Sequence, residues 1–180
     1  MTSFLRFVGV MNAAVWLGAS LFQLFAVSPF FGSAATRWLL GDAHALGAGL
    51  MLWDRFYTTH YLCLGVAWIQ LLAEWVYLGR GIPPFHRWAL TSLLVLGVLG
   101  HVELNRWVTP AHWNRYQPKA SAESRASAER TYPLSSAVWM TTNVALDLTV
   151  LVFSLRILMA VPGPRFMTQG KFRTPDSLDP

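Results

Sequence analysis

The sequence predicts an all-α polytopic membrane protein, a four-transmembrane-helix bundle with a short interfacial helix between helices 1 and 2. Hydrophobic residues make up 54% of its 180 residues and charged residues only 13%, whereas charged residues make up about 25% of a typical soluble domain. Four stretches contain the roughly 20 mainly apolar residues that a helix needs to cross a bilayer. A lone segment in lipid must satisfy its own backbone hydrogen bonds, so each stretch is predicted to be helical.

The predicted spans are residues 4–28, 56–78, 86–107 and 133–161. Together they form a predicted transmembrane domain over residues 1–161, which is followed by an extended C-terminal tail over residues 162–180. Prolines lie at or near the predicted helix ends, namely Pro29, Pro83, Pro110 and Pro162. We predict helix ends there because proline cannot donate the backbone hydrogen bond that continues a helix.

The segment between the first two spans, residues 30–55, is too polar and glycine-rich to cross a membrane, yet it contains two apolar clusters. This pattern favours a short amphipathic helix that lies in the membrane interface. Ahead of the fourth span, residues 120–130 are rich in Ala, Glu and Arg. These residues favour helix, so we predict an exposed helix that leads into the fourth span.

The formal net charge is +5, and the basic residues are scattered at the edges of the apolar segments. This distribution favours contact with anionic lipid headgroups over nucleic-acid binding. The expected partners are the lipid bilayer and, within it, other membrane subunits or further copies of this chain. The expected location is the bacterial inner membrane, and the short loop that holds Arg80 and Arg87 favours cytoplasmic termini.

Polar side chains recur on one helical face of the predicted spans, at Asn12, Gln23, Gln70, Glu74, Asn143 and Asp147. Because a charged group within the hydrocarbon is costly, these residues are expected to face the bundle interior. Asp147 falls near mid-membrane. It either carries a proton and bonds to Asn12 or Asn143, or it belongs to a proton or ion site.

Two histidines are candidates for cofactor binding. At a rise of about 1.5 Å per residue, His60 and His101 fall within about 5 Å of each other in depth, close enough to hold one ligand between two helices. The alternative is that each histidine ties two helices together by hydrogen bonds. Glu103 is predicted to point away from the polar face of its span. The remaining histidines, His44, His86 and His112, fall in or beside predicted loops and are expected to be solvated.

Several short motifs resemble one known family. They are Asn12–Ala19 (NAAVWLGA), Arg55–Tyr57 (RFY) and Leu72–Arg80 (LAEWVYLGR), together with a charged helix ahead of the fourth span. Over residues 3–160 the chain resembles the bacterial domain-of-unknown-function 4149 family, which is similar to transmembrane-protein-205-like proteins. The resemblance implies a four-span membrane protein and assigns no catalytic residue.

A more distant likeness is to copper-resistance D and protoporphyrinogen-oxidase-like membrane proteins, some of which bind haem through intramembrane histidines. This likeness implies axial ligation of a haem by His60 or His101.

The sequence contains no nucleotide-binding loop, no hydrolase or metalloprotease motif and only one cysteine, so no catalytic or metal-binding residues are predicted. We expect an integral membrane protein that stands alone or serves as an accessory subunit of a larger membrane complex. Two alternatives remain open. One is a haem- or metal-binding redox bundle that uses His60 and His101, and the other is a small proton-coupled transporter that uses Asp147 and Glu74.

Overall fold

The computed structural model describes residues 2–79, 81–118 and 120–159, and within these residues the chain is helical and contains no β-strand. The α-helices are, in chain order, α1 (Thr2–Phe22), α2 (Ser28–Gly32), α3 (Ala34–Leu40), α4 (Asp42–Leu78), α5 (Pro84–Glu103), α6 (Thr109–Tyr116) and α7 (Ala122–Met159). π-Helical turns over Gln23–Val27 and Leu104–Val108 join α1 to α2 and α5 to α6. The predicted tail over residues 162–180 lies outside the described residues, as does the end of the fourth predicted span.

Three helical stretches are long and apolar enough to cross a membrane, namely Ser3–Gly32, Pro84–Tyr116 and Ala122–Met159. The prediction of an all-helical chain with helices suited to crossing a membrane is therefore confirmed. α4 has 37 residues but is not among the three stretches. Polar side chains such as Thr58, Thr59 and Gln70 lower its hydropathy.

The four longest helices pack side by side, with α1 and α5 each in contact with both α4 and α7. Neighbouring helices run antiparallel. On α1 and α4, for example, Asn12 contacts Cys63, and one turn later Trp16 contacts His60. The centre is filled by buried side chains from all four helices, including Trp16, Tyr57, Leu90, Leu93, Leu146 and Phe153.

The prolines predicted to end the first and third spans do not end the helices. A π-helical turn precedes each of them, since Gln23–Val27 leads to Pro29 and Leu104–Val108 leads to Pro110. The backbone N–H of Ser28 donates to the carbonyl at the start of the first turn, five residues back. A wider turn gives room for the proline ring, which in a regular α-helix clashes with a carbonyl of the preceding turn.

The helix of the second predicted span begins at Asp42 rather than near residue 56, so residues 42–55 belong to α4 and do not form a separate helix. Gly41 ends α3 with a φ of 76°, a conformation that favours glycine. Asp42 then places an acidic side chain in the first turn of α4, where the helix dipole favours it. The short helix between the first two long helices is therefore α3, which Ser33 caps by accepting a hydrogen bond from the backbone N–H of Thr36 at 3.1 Å.

The buried face of α5 is wider than predicted. Glu103, predicted to point away from the polar face of its span, is buried at 8% exposure, whereas Asn105 is exposed. Because α5 packs between α4 and α7, its inner face includes His101 on one side and Glu103 on the other. His112, predicted to be solvated, is fully buried in α6, where its Nε2 lies 2.9 Å from the carbonyl oxygen of Ala43.

Candidate functional site

His60 is a fully buried cross-link between three helices. Trp16 of α1 donates its indole N–H to His60 Nδ1 at 3.1 Å, and His60 Nε2 lies 3.1 Å from the carbonyl oxygen of Leu93 in α5. Because Nδ1 accepts a hydrogen bond, the imidazole proton is on Nε2, which donates to the carbonyl. His60 therefore connects α4 to α1 and α5 and uses both ring nitrogens to do so.

Two glycines let α5 approach α4 closely at this cross-link. A Cβ atom at Gly97 would lie 2.6 Å from His60 Nε2, and a Cβ atom at Gly100 would overlap the hydroxyl of Tyr57. The backbone of α5 therefore lies directly against the His60 and Tyr57 side chains, and no space remains between them for another group.

A second buried cluster joins α4 to α7 across the bundle. The Tyr57 hydroxyl donates to Asn143 Oδ1 at 2.7 Å and accepts from Trp139 Nε1 at 3.1 Å. Asn143 Nδ2 in turn donates to the carbonyl oxygen of Trp139 at 2.8 Å. All three side chains are buried, and each of their polar groups has a partner within the cluster. The cluster therefore fixes two helices that lie diagonally opposite each other.

His101 lies nearer the surface, in a chain of hydrogen bonds between α5 and α4. Its Nε2 lies 3.1 Å from Asp54 Oδ1, and its Nδ1 lies 3.3 Å from the hydroxyl of Tyr61. The Tyr61 hydroxyl also lies 3.1 Å from the carbonyl oxygen of Gly97. The Tyr57 ring stacks on the imidazole with the ring centroids 5.1 Å apart. A cavity of about 350 Å³ opens beside Asp54.

These contacts do not fit a haem held by His60 or His101. An axial ligand needs a free imidazole nitrogen with room for the iron beyond it, but all four ring nitrogens already have partners in the protein. The α5 backbone closes in His60, and the Tyr57 ring covers His101. Within the described ranges, no three His, Cys, Asp or Glu side chains come together as a group that could hold a metal ion. The geometry does not support a ligand shared by the two histidines.

Three residues of the predicted polar face lie along the contact between α1 and α4. Asn12 donates to the carbonyl oxygen of Cys63 at 2.9 Å. Gln70 donates to Glu74 Oε1 at 3.0 Å on its own helix and packs on Gly9 of α1, where a Cβ atom would overlap the Gln70 amide. Gln70 and Glu74 also line a cavity of about 310 Å³ at the end of the bundle where α1 begins.

Asp147 of α7 faces Ser20 of α1, and Gln23 lies one turn beyond Ser20 along the chain. Their exposed fractions are 8%, 2% and 4%. Among the described residues, neither carboxyl oxygen of Asp147 has a hydrogen-bond partner, and the Ser20 hydroxyl and the Gln23 amide nitrogen also lack one. The Ser20 hydroxyl faces the carboxyl group, but the two groups fall short of hydrogen-bond geometry. Asn12 and Asn143, the predicted partners of Asp147, bond elsewhere.

Sequence reasoning missed several of these partners, although their spacing carried a signal. Tyr57 and Tyr61 lie four residues apart, and Asp54 precedes Tyr57 by three residues, so all three share one face of α4. Ser20 precedes Gln23 by three residues and shares its face of α1 in the same way.

Comparisons with known proteins assign no family to this chain. No family model, no curated protein and no solved structure matches it. The resemblance to the domain-of-unknown-function 4149 family therefore remains a prediction from short motifs, and the function has to be inferred from the geometry.

Proposed function

We propose that the chain is an integral membrane protein with four transmembrane helices, α1, α4, α5 and α7, and without a catalytic centre. In this proposal it stands alone or serves as an accessory subunit of a larger membrane complex. The observation that carries the proposal is the outer surface of α4, the long helix that hydropathy alone does not select.

The outer surface of α4 is apolar over the length of a bilayer core. Residues 56–73 contain no charged side chain, and at about 1.5 Å per residue they extend about 27 Å, close to the roughly 30 Å of a hydrocarbon core. The exposed side chains on this surface include Leu62, Val66, Ile69, Leu72 and Val76. A continuous apolar surface of this kind favours contact with lipid or another protein over contact with water.

The polar residues of α4 are compatible with lipid around the helix. His60 and Tyr57 are buried inside the bundle. Thr58 and Thr59 donate their hydroxyls back to carbonyl oxygens one turn earlier on the same helix, at 3.4 Å each. Polar groups satisfied in these ways do not prevent a helix from crossing a membrane.

The short helix α3 is proposed to lie in the membrane interface. Trp38 is 84% exposed and Leu39 is 71% exposed, and they are the two residues that follow Arg37. An exposed tryptophan beside a basic residue is typical of the headgroup region. The proposed setting is the bacterial inner membrane with cytoplasmic termini, which rests on the distribution of basic residues.

The two alternative functions are less well supported. The contacts of His60 and His101 do not fit a haem. For the proton-coupled transporter, Asp147 and Glu74 do not share a site, because Asp147 faces Ser20 whereas Gln70, the partner of Glu74, packs on Gly9. Those two positions on α1 are about 16 Å apart along the helix.

Cysteine accessibility tests the proposed number of spans. In a Cys63→Ala background, Trp38→Cys in α3 and Gln117→Cys before α7 are expected to react with a membrane-impermeant maleimide from one side of the membrane. Gly81→Cys, between α4 and α5, is expected to react from the other side. Labelling of intact and inverted vesicles measures this. Reaction of positions 38 and 81 from the same side would show that α4 does not cross.

Haem titration tests the redox alternative. We expect hemin added to the detergent-purified protein to keep the absorption spectrum of free hemin, because His60 and His101 have no free ring nitrogen. A shifted Soret band that disappears in the His101→Ala variant would contradict this expectation and restore the redox function.

A further inference from the structure

We propose that Asp147, with the Ser20 hydroxyl beside it, is a proton-binding site in the interior of the bundle. The inference goes beyond the proposed function and does not depend on it, because α1 and α7 both belong to the three stretches that are long and apolar enough to cross a membrane.

The burial of Asp147 without a partner is the first step. A carboxylate placed in an apolar interior is far more costly than a neutral carboxyl group. At 8% exposure, Asp147 has neither an ion pair nor a hydrogen bond within the described part of the chain. A bound proton removes the charge and converts one carboxyl oxygen into a donor. The Ser20 oxygen, itself unpartnered, is the acceptor that faces this donor.

The α1 helix beside Asp147 supplies a second observation. The π-helical turn Gln23–Val27 begins three residues after Ser20, and such turns occur frequently at functional sites. The Gln23 amide nitrogen is buried without a partner. One turn further along, Val27 lines a cavity of about 370 Å³ between α2, α4 and α7. Along the chain, the unpartnered Gln23 side chain therefore lies between Ser20 and the residues that line this cavity.

The charged groups on the neighbouring helices do not replace the proton. The one charged residue of α1 is Arg6, about 21 Å from Ser20 along the helix. The titratable and charged groups of α5 are His86, Arg87, His101 and Glu103, and those of α6 with the π-helical turn before it are Arg106, His112, Arg115 and Tyr116. The α6 groups lie along the earlier part of α7, where Arg115 stacks on Tyr132. No side chain among all of these forms a hydrogen bond with either carboxyl oxygen of Asp147.

Carbodiimide labelling tests the site. Dicyclohexylcarbodiimide adds to protonated carboxyl groups in apolar surroundings without a leaving group. After treatment of the full-length protein in its membrane at neutral pH, we expect mass spectrometry to find the adduct on the peptide that contains Asp147. The adduct is expected to be lost in Asp147→Asn and kept in Glu74→Gln. An unmodified Asp147 would overturn the site, and protection by added Na⁺ at constant pH would overturn the proton as its ligand.

Infrared spectroscopy provides a readout that does not need the Asp147→Asn variant to fold. At neutral pH we expect the carbonyl band of a protonated carboxyl group, and we expect Ser20→Ala to shift that band to higher frequency because a hydrogen bond is lost. Ser28→Ala is the matched control on the same helical stretch, and we expect no shift there, since the Ser28 hydroxyl donates to the carbonyl oxygen of Gln23. A missing band, or a band that Ser20→Ala leaves in place, would contradict the proposal.

Discussion

Gly97→Ala is expected to destabilise the protein by about 1–3 kcal/mol, the usual cost of overpacking a core, even though alanine is the better helix former. The added Cβ atom would lie 2.6 Å from Nε2 and 2.9 Å from Cδ2 of His60. The imidazole cannot move aside without breaking its hydrogen bond to Trp16 or to Leu93. Unfolding of the detergent-solubilised protein, followed by circular dichroism, measures the loss.

Two other glycines in the long helices are the matched controls. At Gly18 and Gly65 a Cβ atom would meet nothing within 4 Å. Alanine there removes backbone freedom from the unfolded chain without a clash, so the expected effect is a gain of about 0.5–1 kcal/mol. The alanine substitutions at Gly97 and Gly65 are expected to change stability in opposite directions because α5 approaches α4 closely at Gly97. Equal effects at the two positions would contradict that approach.

Tyr57→Phe is expected to destabilise the protein by about 2–4 kcal/mol, since leaving one buried polar group unsatisfied costs about 1–3 kcal/mol. Removing the hydroxyl takes the donor away from Asn143 Oδ1 and the acceptor away from Trp139 Nε1. The phenyl ring itself fits the same space, so the change isolates the hydrogen bonds. The same unfolding measurement applies.

Tyr77→Phe is the control for the Tyr57 substitution, because Tyr77 is 67% exposed and the chemical change is identical. We expect its stability to remain close to that of the unchanged protein. Adding Asn143→Leu to Tyr57→Phe is expected to cost less than the sum of the two single changes, because each single change leaves a partner of the same hydrogen bond unsatisfied. Full additivity would show that the Tyr57–Asn143 bond carries no stability.

The helices could be predicted from the sequence because long apolar runs are a local signal. The ends of the helices could not be predicted from local signals alone. Pro29 and Pro110 are strong helix breakers in isolation, but a π-helical turn ahead of each one lets the helix continue. A π-helical turn has no characteristic amino-acid composition, so the sequence does not predict it. The start of α4 also could not be predicted from composition, because residues 42–55 continue that helix in spite of their polarity.

The polar interior was predictable in part. Asn143 and Asp147 were placed on one helical face by their spacing, and both are buried. Their partners could not be predicted, because a bond such as Tyr57 to Asn143 joins residues far apart in the sequence and depends on which helices meet. Helical spacing predicts the face of the helix on which a residue lies, but not the residue of another helix that it contacts. Ser20 faces Asp147 only because α1 packs against α7.

The two π-helical turns occupy corresponding places in the two halves of the described helical bundle. Each leads into the same pattern, Val27–Pro29 (VSP) and Val108–Pro110 (VTP), and each is followed by a long helix, of 37 residues in α4 and 38 residues in α7. Exchanging α1 with α5 and α4 with α7 leaves the set of contacting pairs of long helices unchanged. The two helical hairpins therefore correspond in the order of their contacts, and the Tyr57–Asn143 bond joins their two long helices, α4 and α7.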